Sequence, residues 1–149
     1  MLNPDYRDIL SIFNEQGVEY LVVGAYALAA HGLPRATGDI DLWIRRSEEN
    51  ASRVWQSLAR FGAPLTDLNP QDLVTSDIVF QIGVAPRRID ILTSIAALEF
   101  DEAWEHRKVV EVEGLQIPVL GREDLLKNKK ALRRDKDLGD IAWLERRRP

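Results

Sequence analysis

Asp39 and Asp41 stand one residue apart in the apolar segment Gly38-Asp39-Ile40-Asp41-Leu42-Trp43-Ile44. In a strand, successive side chains alternate between faces, so both carboxylates project the same way with Cα atoms roughly 7 Å apart. Two acids this close repel one another, and a half-buried pair is costly unless a cation or strong donors relieve it. Shared divalent cations with oxygen ligands give that relief. A second apolar run, Arg88-Ile89-Asp90-Ile91-Leu92, carries one acid, with Ile89 and Ile91 on one face and Asp90 on the other. If the two strands are neighbours, Asp39, Asp41 and Asp90 share a face. There they can hold two magnesium ions bridged by the phosphate oxygens of a nucleoside triphosphate, with Asp90 placed to take the proton of an acceptor hydroxyl. The chemistry expected of such a set is nucleotidyl transfer.

The remaining polar residues of interest surround this set. Gly24 separates the β-branched and aromatic run Val18 to Val23 from the small-residue stretch Ala25 to Ala30, giving strand, glycine turn and helix. A glycine there lets backbone N–H groups, that of Ala25 included, approach a phosphate at the positive end of the helix. Arg35 and Thr37 lie on the short loop that feeds the Asp39 strand. A guanidinium there can clamp outer phosphates, and the hydroxyl can support the loop. His31, just before Gly32, suits a helix C-terminus, where its partial charge meets the dipole. His106 shows no partner in the sequence and reads as surface. Trp43, Trp55, Trp104 and Trp143 sit in apolar patterns and read as packing rather than base-stacking platforms.

The elements that must hold these residues follow from periodicity and punctuation. Asn3 and Pro4 read as the cap and first residue of a helix with Tyr6, Ile9, Leu10 and Phe13 on its buried face, ended by Gly17. Ser47 with Glu48 and Glu49 starts a helix whose stripe is Ala51, Val54, Trp55, Leu58 and Phe61, and Gly62 stops it. Residues 63–75 carry two prolines with several Asp and Asn and read as a loop with little structure of its own. Strands are expected over 78–82 and 88–92, a helix over 94–104, a hairpin over 108–119 around Glu113-Gly114, and two helices after it. The fold class is therefore α/β (α+β), a mixed sheet flanked by helices with two helices at the C-terminus.

Composition narrows the choice. The 149 residues suit one domain, 1–149, with 121–149 as its basic helical part, and 45% apolar content suits a globular chain. No run approaches the roughly 20 apolar residues of a membrane span, and no secretory leader is visible, so a cytoplasmic protein is expected. The absence of cysteine excludes disulfides, zinc–thiolate sites and thiol nucleophiles. From Arg122 onward 10 Lys and Arg stand against 6 Asp and Glu, although the whole chain carries a net charge of -4. That basic end suits a polyanion.

The stretch from Val22-Val23-Gly24-Ala25 through Pro34-Arg35-Ala36-Thr37 to Gly38-Asp39-Ile40-Asp41-Leu42 resembles the glycine motif, helix and Asp-x-Asp strand of the DNA polymerase beta-like nucleotidyltransferases, in particular their minimal bacterial members. Asp90 matches the third acid. Leu125-Leu126-Lys127-Asn128-Lys129-Lys130-Ala131 and Arg134-Asp135-Lys136-Asp137-Leu138-Gly139-Asp140 resemble the terminal helices of the uncharacterised and the abortive-infection (type IV toxin) branches. The resemblance covers almost the whole chain. It implies magnesium, a nucleoside triphosphate such as ATP, and transfer to a hydroxyl of RNA, protein or a small molecule. It also implies nucleotide-binding roles for Gly24, Ala25, Lys129 and Arg134, with Asp137 and Asp140 orienting the basic pair, and it leaves room for a homo-oligomer or a toxin–antitoxin partner. The sequence departs from the pattern in two places, since Ala25 stands where a second Gly or a Ser is common and Gly38 where a Lys often precedes the first acid. Those departures support a competing reading, a fold of this class that binds a partner protein without transferring nucleotides. The roughly 30 residues after the last hairpin are too few for an independent acceptor domain, which ranks antibiotic acceptors below RNA and protein.

Overall fold

The computed structural model describes residues 2–33 and 38–146. Helix α1, Pro4–Gln16, starts where the Asn3 side chain accepts from the Asp5 amide and ends at Gly17, whose φ of 71° favours glycine. There follow β1 (Tyr20–Val23), α2 (Gly24–Ala30), β2 (Ile40–Ile44) and α3 (Glu48–Phe61). Next come β3 (Val79–Ile82), β4 (Ile89–Leu92), α4 (Phe100–Glu105), β5 (Lys108–Val112), β6 (Leu115–Val119), α5 (Arg122–Leu132) and α6 (Asp135–Arg146).

The six strands form one mixed sheet in the order β3-β4-β2-β1-β6-β5. The β1–β2, β3–β4 and β5–β6 pairs are antiparallel, while β2–β4 and β1–β6 are parallel. Alternation along β2 puts Ile40, Leu42 and Ile44 on one face and Asp41 and Trp43 on the other. Helix α1 packs on α3, and its Leu10 shares an apolar cavity with Val22 and Ile40, so these helices serve the first face. Helices α5 and α6 meet Asp41 on the second. With both faces covered, β1 is buried along its whole length, and the core extends through Phe13, Leu21, Leu28, Leu42, Val54 and Leu58, none more than 1% exposed. Each such side chain contributes roughly 1.5–3 kcal/mol relative to exposure. Buried Asn50 ties α3 to the sheet, accepting from the Glu19 amide at 2.7 Å and donating to the Glu19 and Arg45 carbonyls at 3.0 and 2.9 Å.

Three expectations are corrected. Residues 63–75 are not structureless, because Pro70–Val74 forms a 3-10 helix. Its Asn69 cap accepts from the Gln71 amide while Asp72 accepts from the Asn69 amide, and Leu73 anchors it in the core. The helix expected over 94–104 is confined to Phe100–Glu105. Upstream, Thr93 and Ser94 hydroxyls accept from the Ile78 and Asp77 amides, and Ala97 adopts φ 69°, so side-chain bonds and a left-handed residue displace the helix. His106 is exposed but has a partner, Nδ1 lying 3.2 Å from Asp124 Oδ2.

Candidate active site

The sheet register assembles the acids. In the parallel β2–β4 pair Asp41 is the direct partner of Asp90, and Asp39 immediately precedes β2. On the other side of β2, Val23 pairs with Asp41, and the chain turns at Gly24 with φ 70°. A Cβ on Gly24 would overlap Asp41 Oδ2, so glycine is demanded here by both backbone angle and close approach. Burial is the largest cause raising the Asp41 pKa, and the Asp90 and Asp39 carboxylates add to it against the pull of Arg88, bringing it to about 7.

Arg88 is the counter-ion of this cluster. Its Nε donates to Asp90 Oδ1 at 2.7 Å and its NH2 to Asp90 Oδ2 at 3.1 Å. The same NH2 lies 3.1 Å from Asp39 Oδ2, and the Arg88 amide donates to Asp39 Oδ1 at 3.1 Å. Below, the buried Tyr6 hydroxyl lies 2.5 Å from the Gly38 carbonyl and 3.2 Å from that of Arg88, tying α1 to the starts of both acid-bearing strands. Burial foremost raises the Tyr6 pKa to about 12, which keeps the phenol a donor.

The opposite wall comes from the C-terminal helices. A cleft of about 270 Å³ has Gly24, Ala25, Asp39 and Asp41 on one side and Lys129 and Arg134 on the other. Lys129 Nζ lies 3.0 Å from Asp137 Oδ1 and 3.2 Å from Asp140 Oδ2. Arg134 binds Asp137 through Nε at 2.7 Å, NH2 at 3.1 Å and its amide at 3.1 Å. The Arg134 guanidinium is the largest influence holding the Asp137 carboxyl well below the usual range, and Lys129 adds to it. Asp137 and Asp140 thus orient the basic pair.

Gly24, Ala25, Asp39, Asp41, Lys129 and Arg134, all singled out in the sequence, therefore line one cleft, together with Asp137 and Asp140. Asp90 does not line it, being 7% exposed and shielded beside Asp41 by Arg88. Arg35 and Thr37 lie outside the described residues. His31 caps α2 and also pairs through Nε2 with the Leu120 carbonyl at 2.8 Å, fixing α2 to the end of β6. Trp43 is buried, and the other three tryptophans pack against the core. Sequence reasoning missed Arg88 and the cleft-lining Lys136. Period-two alternation places Arg88 on the face of Asp90, whereas nothing in the spacing marks Lys136.

The chemistry of the donor set fits a hard divalent cation, with three carboxylates at the starts of neighbouring strands and no softer ligand beside them. In the arrangement described, no three His, Cys, Asp or Glu side chains among the described residues are grouped to hold a metal ion. The Arg88 guanidinium lies between Asp39 and Asp90.

Comparison with solved structures gives the same architecture. The chain is similar to TM1012 of Thermotoga maritima, assigned as a nucleotidyltransferase, with TM-score 0.66 and 19% identity over 99% of this chain and 97% of that one. It is also similar to the lincosamide antibiotic adenylyltransferase LnuA in its lincomycin-bound form, with TM-score 0.61 and 16% identity over 97% of each chain. ANT(2″)-Ia in complex with adenylyl-2″-tobramycin matches with TM-score 0.53 and 17% identity over 81% of this chain and 70% of its own. The chain has the fold of these nucleotidyltransferases, a mixed six-stranded sheet with two helices at the C-terminus. No family model matches it, and no curated protein matches its sequence. The match to LnuA also corrects the size argument, because a lincomycin-bound adenylyltransferase is covered over 97% of its length by a chain of this size.

Proposed function

We propose that this protein is a magnesium-dependent nucleotidyltransferase that moves a nucleoside monophosphate from a triphosphate to an acceptor hydroxyl. The observation that carries the reading is the direct pairing of Asp41 with Asp90, with Asp39 beside them, across a cleft from Lys129 and Arg134. The cleft volume of about 270 Å³ is below the roughly 300–1,000 Å³ of sites that enclose a whole drug-sized ligand. It suits the phosphates, with base and ribose outside.

Asp39, Asp41 and Asp90 are the residues that would hold magnesium, which supplies charge neutralisation of the phosphates and activation of the acceptor oxygen. In the transfer, the acceptor oxygen forms a bond to the α-phosphorus as the bond to the β-phosphate bridge breaks, and pyrophosphate leaves. Asp90 takes the hydroxyl proton once Arg88 has moved off its oxygens. The Gly24–Ala25 turn lets the backbone approach the phosphates, and Lys129 and Arg134, held by Asp137 and Asp140, face them across the cleft.

RNA ends, proteins and small hydroxyl compounds are the acceptor classes. The small-molecule class gains from the LnuA and ANT(2″)-Ia similarities, and the excess of Lys and Arg from Arg122 onward favours RNA. The test is incubation with each of ATP, CTP, GTP and UTP labelled at the α-phosphorus, magnesium and a cell extract. Label on RNA, protein or a small compound, lost in Asp39→Asn with Asp41→Asn, supports transfer and identifies the acceptor. Absence of label with all four triphosphates favours the competing partner-binding reading.

A further inference from the structure

Arg88 occupies all four carboxylate oxygens of Asp39 and Asp90. The guanidinium takes both oxygens of Asp90 at 2.7 and 3.1 Å and Asp39 Oδ2 at 3.1 Å, and the Arg88 amide takes Asp39 Oδ1 at 3.1 Å. Asp41 is the one acid of the three that Arg88 leaves to another neighbour, lying against the Gly24 backbone. We infer that Arg88 is an internal cation that competes with the divalent metal for Asp39 and Asp90, so that the acid set opens to metal only as the guanidinium withdraws. The inference rests on the metal-site reading proposed above.

The physical argument is one of charge and coordination. A guanidinium bound along both oxygens of a carboxylate is a strong, geometrically specific contact. A divalent ion needs oxygens from several of these carboxylates at about 2.0–2.1 Å, too close to share them fully with the same donors. Once a doubly charged ion is among the acids, it also repels the guanidinium. Arg88 is half-buried, with 29% of its side chain exposed, and therefore has a solvent side to retreat to. The arrangement holds Asp39 and Asp90 together without metal, at the cost of metal affinity.

The test is direct titration of the full chain with Mn²⁺, following the free ion by its electron paramagnetic resonance signal. Arg88→Met is expected to bind Mn²⁺ at least fivefold more tightly than the unaltered protein, and Arg88→Lys, a cation without the fork, to fall between. Equal or weaker binding by a folded Arg88→Met protein overturns the inference, since Arg88 then organises the ligands rather than competing for them. Mn²⁺ binding by neither protein overturns the metal-site reading itself. Should Arg88→Met fail to fold, the unaltered protein decides through its Arg88 Nε–H proton, observed by NMR. Saturating Mg²⁺ is expected to speed solvent exchange of that proton at least tenfold, and an unchanged rate refutes the competition.

Discussion

The two walls of the cleft are built from the same ingredients to opposite effect. On the helix wall, Lys129 and Arg134 face Asp137 and Asp140 in equal number, and the two acids are buried at 0% and 2% exposure. On the strand wall, the described residues set one guanidinium, that of Arg88, against three acids, and it pairs with Asp39 and Asp90 only. The consequence appears in the titration of the carboxyls, with Asp137 held well below the ordinary range and Asp41 raised to about 7. The helix wall is a completed ion-pair network that fastens α5 to α6. Among the described residues the strand wall carries more acids than cations, which suits it to a cation that arrives with its substrate.

The sharpest way to break this contrast is to remove one charge from each wall. Lys129→Met leaves Asp137 and Asp140 short of their shared cation and is expected to destabilise the fold by about 3–5 kcal/mol, the usual result of breaking a buried pair. Asp39→Asn, on the under-neutralised wall, is expected to cost less than about 1 kcal/mol. Urea unfolding of the two variants measures the difference, and equal losses would erase the distinction between the walls.

The pH dependence sharpens the contrast next. Asp41 has a folded-state pKa of about 7 against an ordinary value of 3.8. The folded protein therefore binds more protons than the unfolded chain between these values, and the stabilising contribution is complete below pH 3.8 and lost as pH rises through 7. The shift corresponds to about 4 kcal/mol at most. Asp137 has the opposite sign, contributing above its unfolded pKa and losing that contribution as pH falls below it. Unfolding free energy measured from pH 4.5 to 8 should decline for the unaltered protein and be flatter for Asp41→Asn. Parallel curves would contradict the assignment.

A smaller effect is expected at the hinge between strand wall and helix α2. Gly24→Ala forces a side chain into a φ of 70° and onto Asp41 Oδ2. It should cost about 2 kcal/mol in urea unfolding and weaken triphosphate binding. Retained stability and binding together would show that Asp41 has room to move away.

Much of this was legible in the sequence because the deciding residues obey local rules. Asn3, Gly17, Ser47 and Gly62 bound their helices as capping chemistry requires, and period-two alternation put Asp39 and Asp41 on one face. The pairing of β2 with β4 was conditional, since register is a tertiary property. The 3-10 helix at Pro70–Val74 escaped notice because its proline and Asn69 are also turn formers, and its support is the distant core contact of Leu73. The shortened helix at Phe100 reflects bonds from Thr93 and Ser94 back to residues 77 and 78, which no window along the chain reveals. Arg88 was within reach, two residues before Asp90 on the same strand face, whereas its hold on Asp39 depends on bringing together strand starts 49 residues apart.

The central claim is that the under-neutralised strand wall binds a triphosphate together with magnesium. Calorimetric titration of ATP, CTP, GTP and UTP, each with magnesium, into the protein and into the folded Asp39→Asn, Asp41→Asn double variant tests it most directly. The account predicts binding of at least one triphosphate, abolished by chelating the magnesium and absent in the double variant. Binding that survives both changes, or none of the four triphosphates binding the unaltered protein, would contradict it.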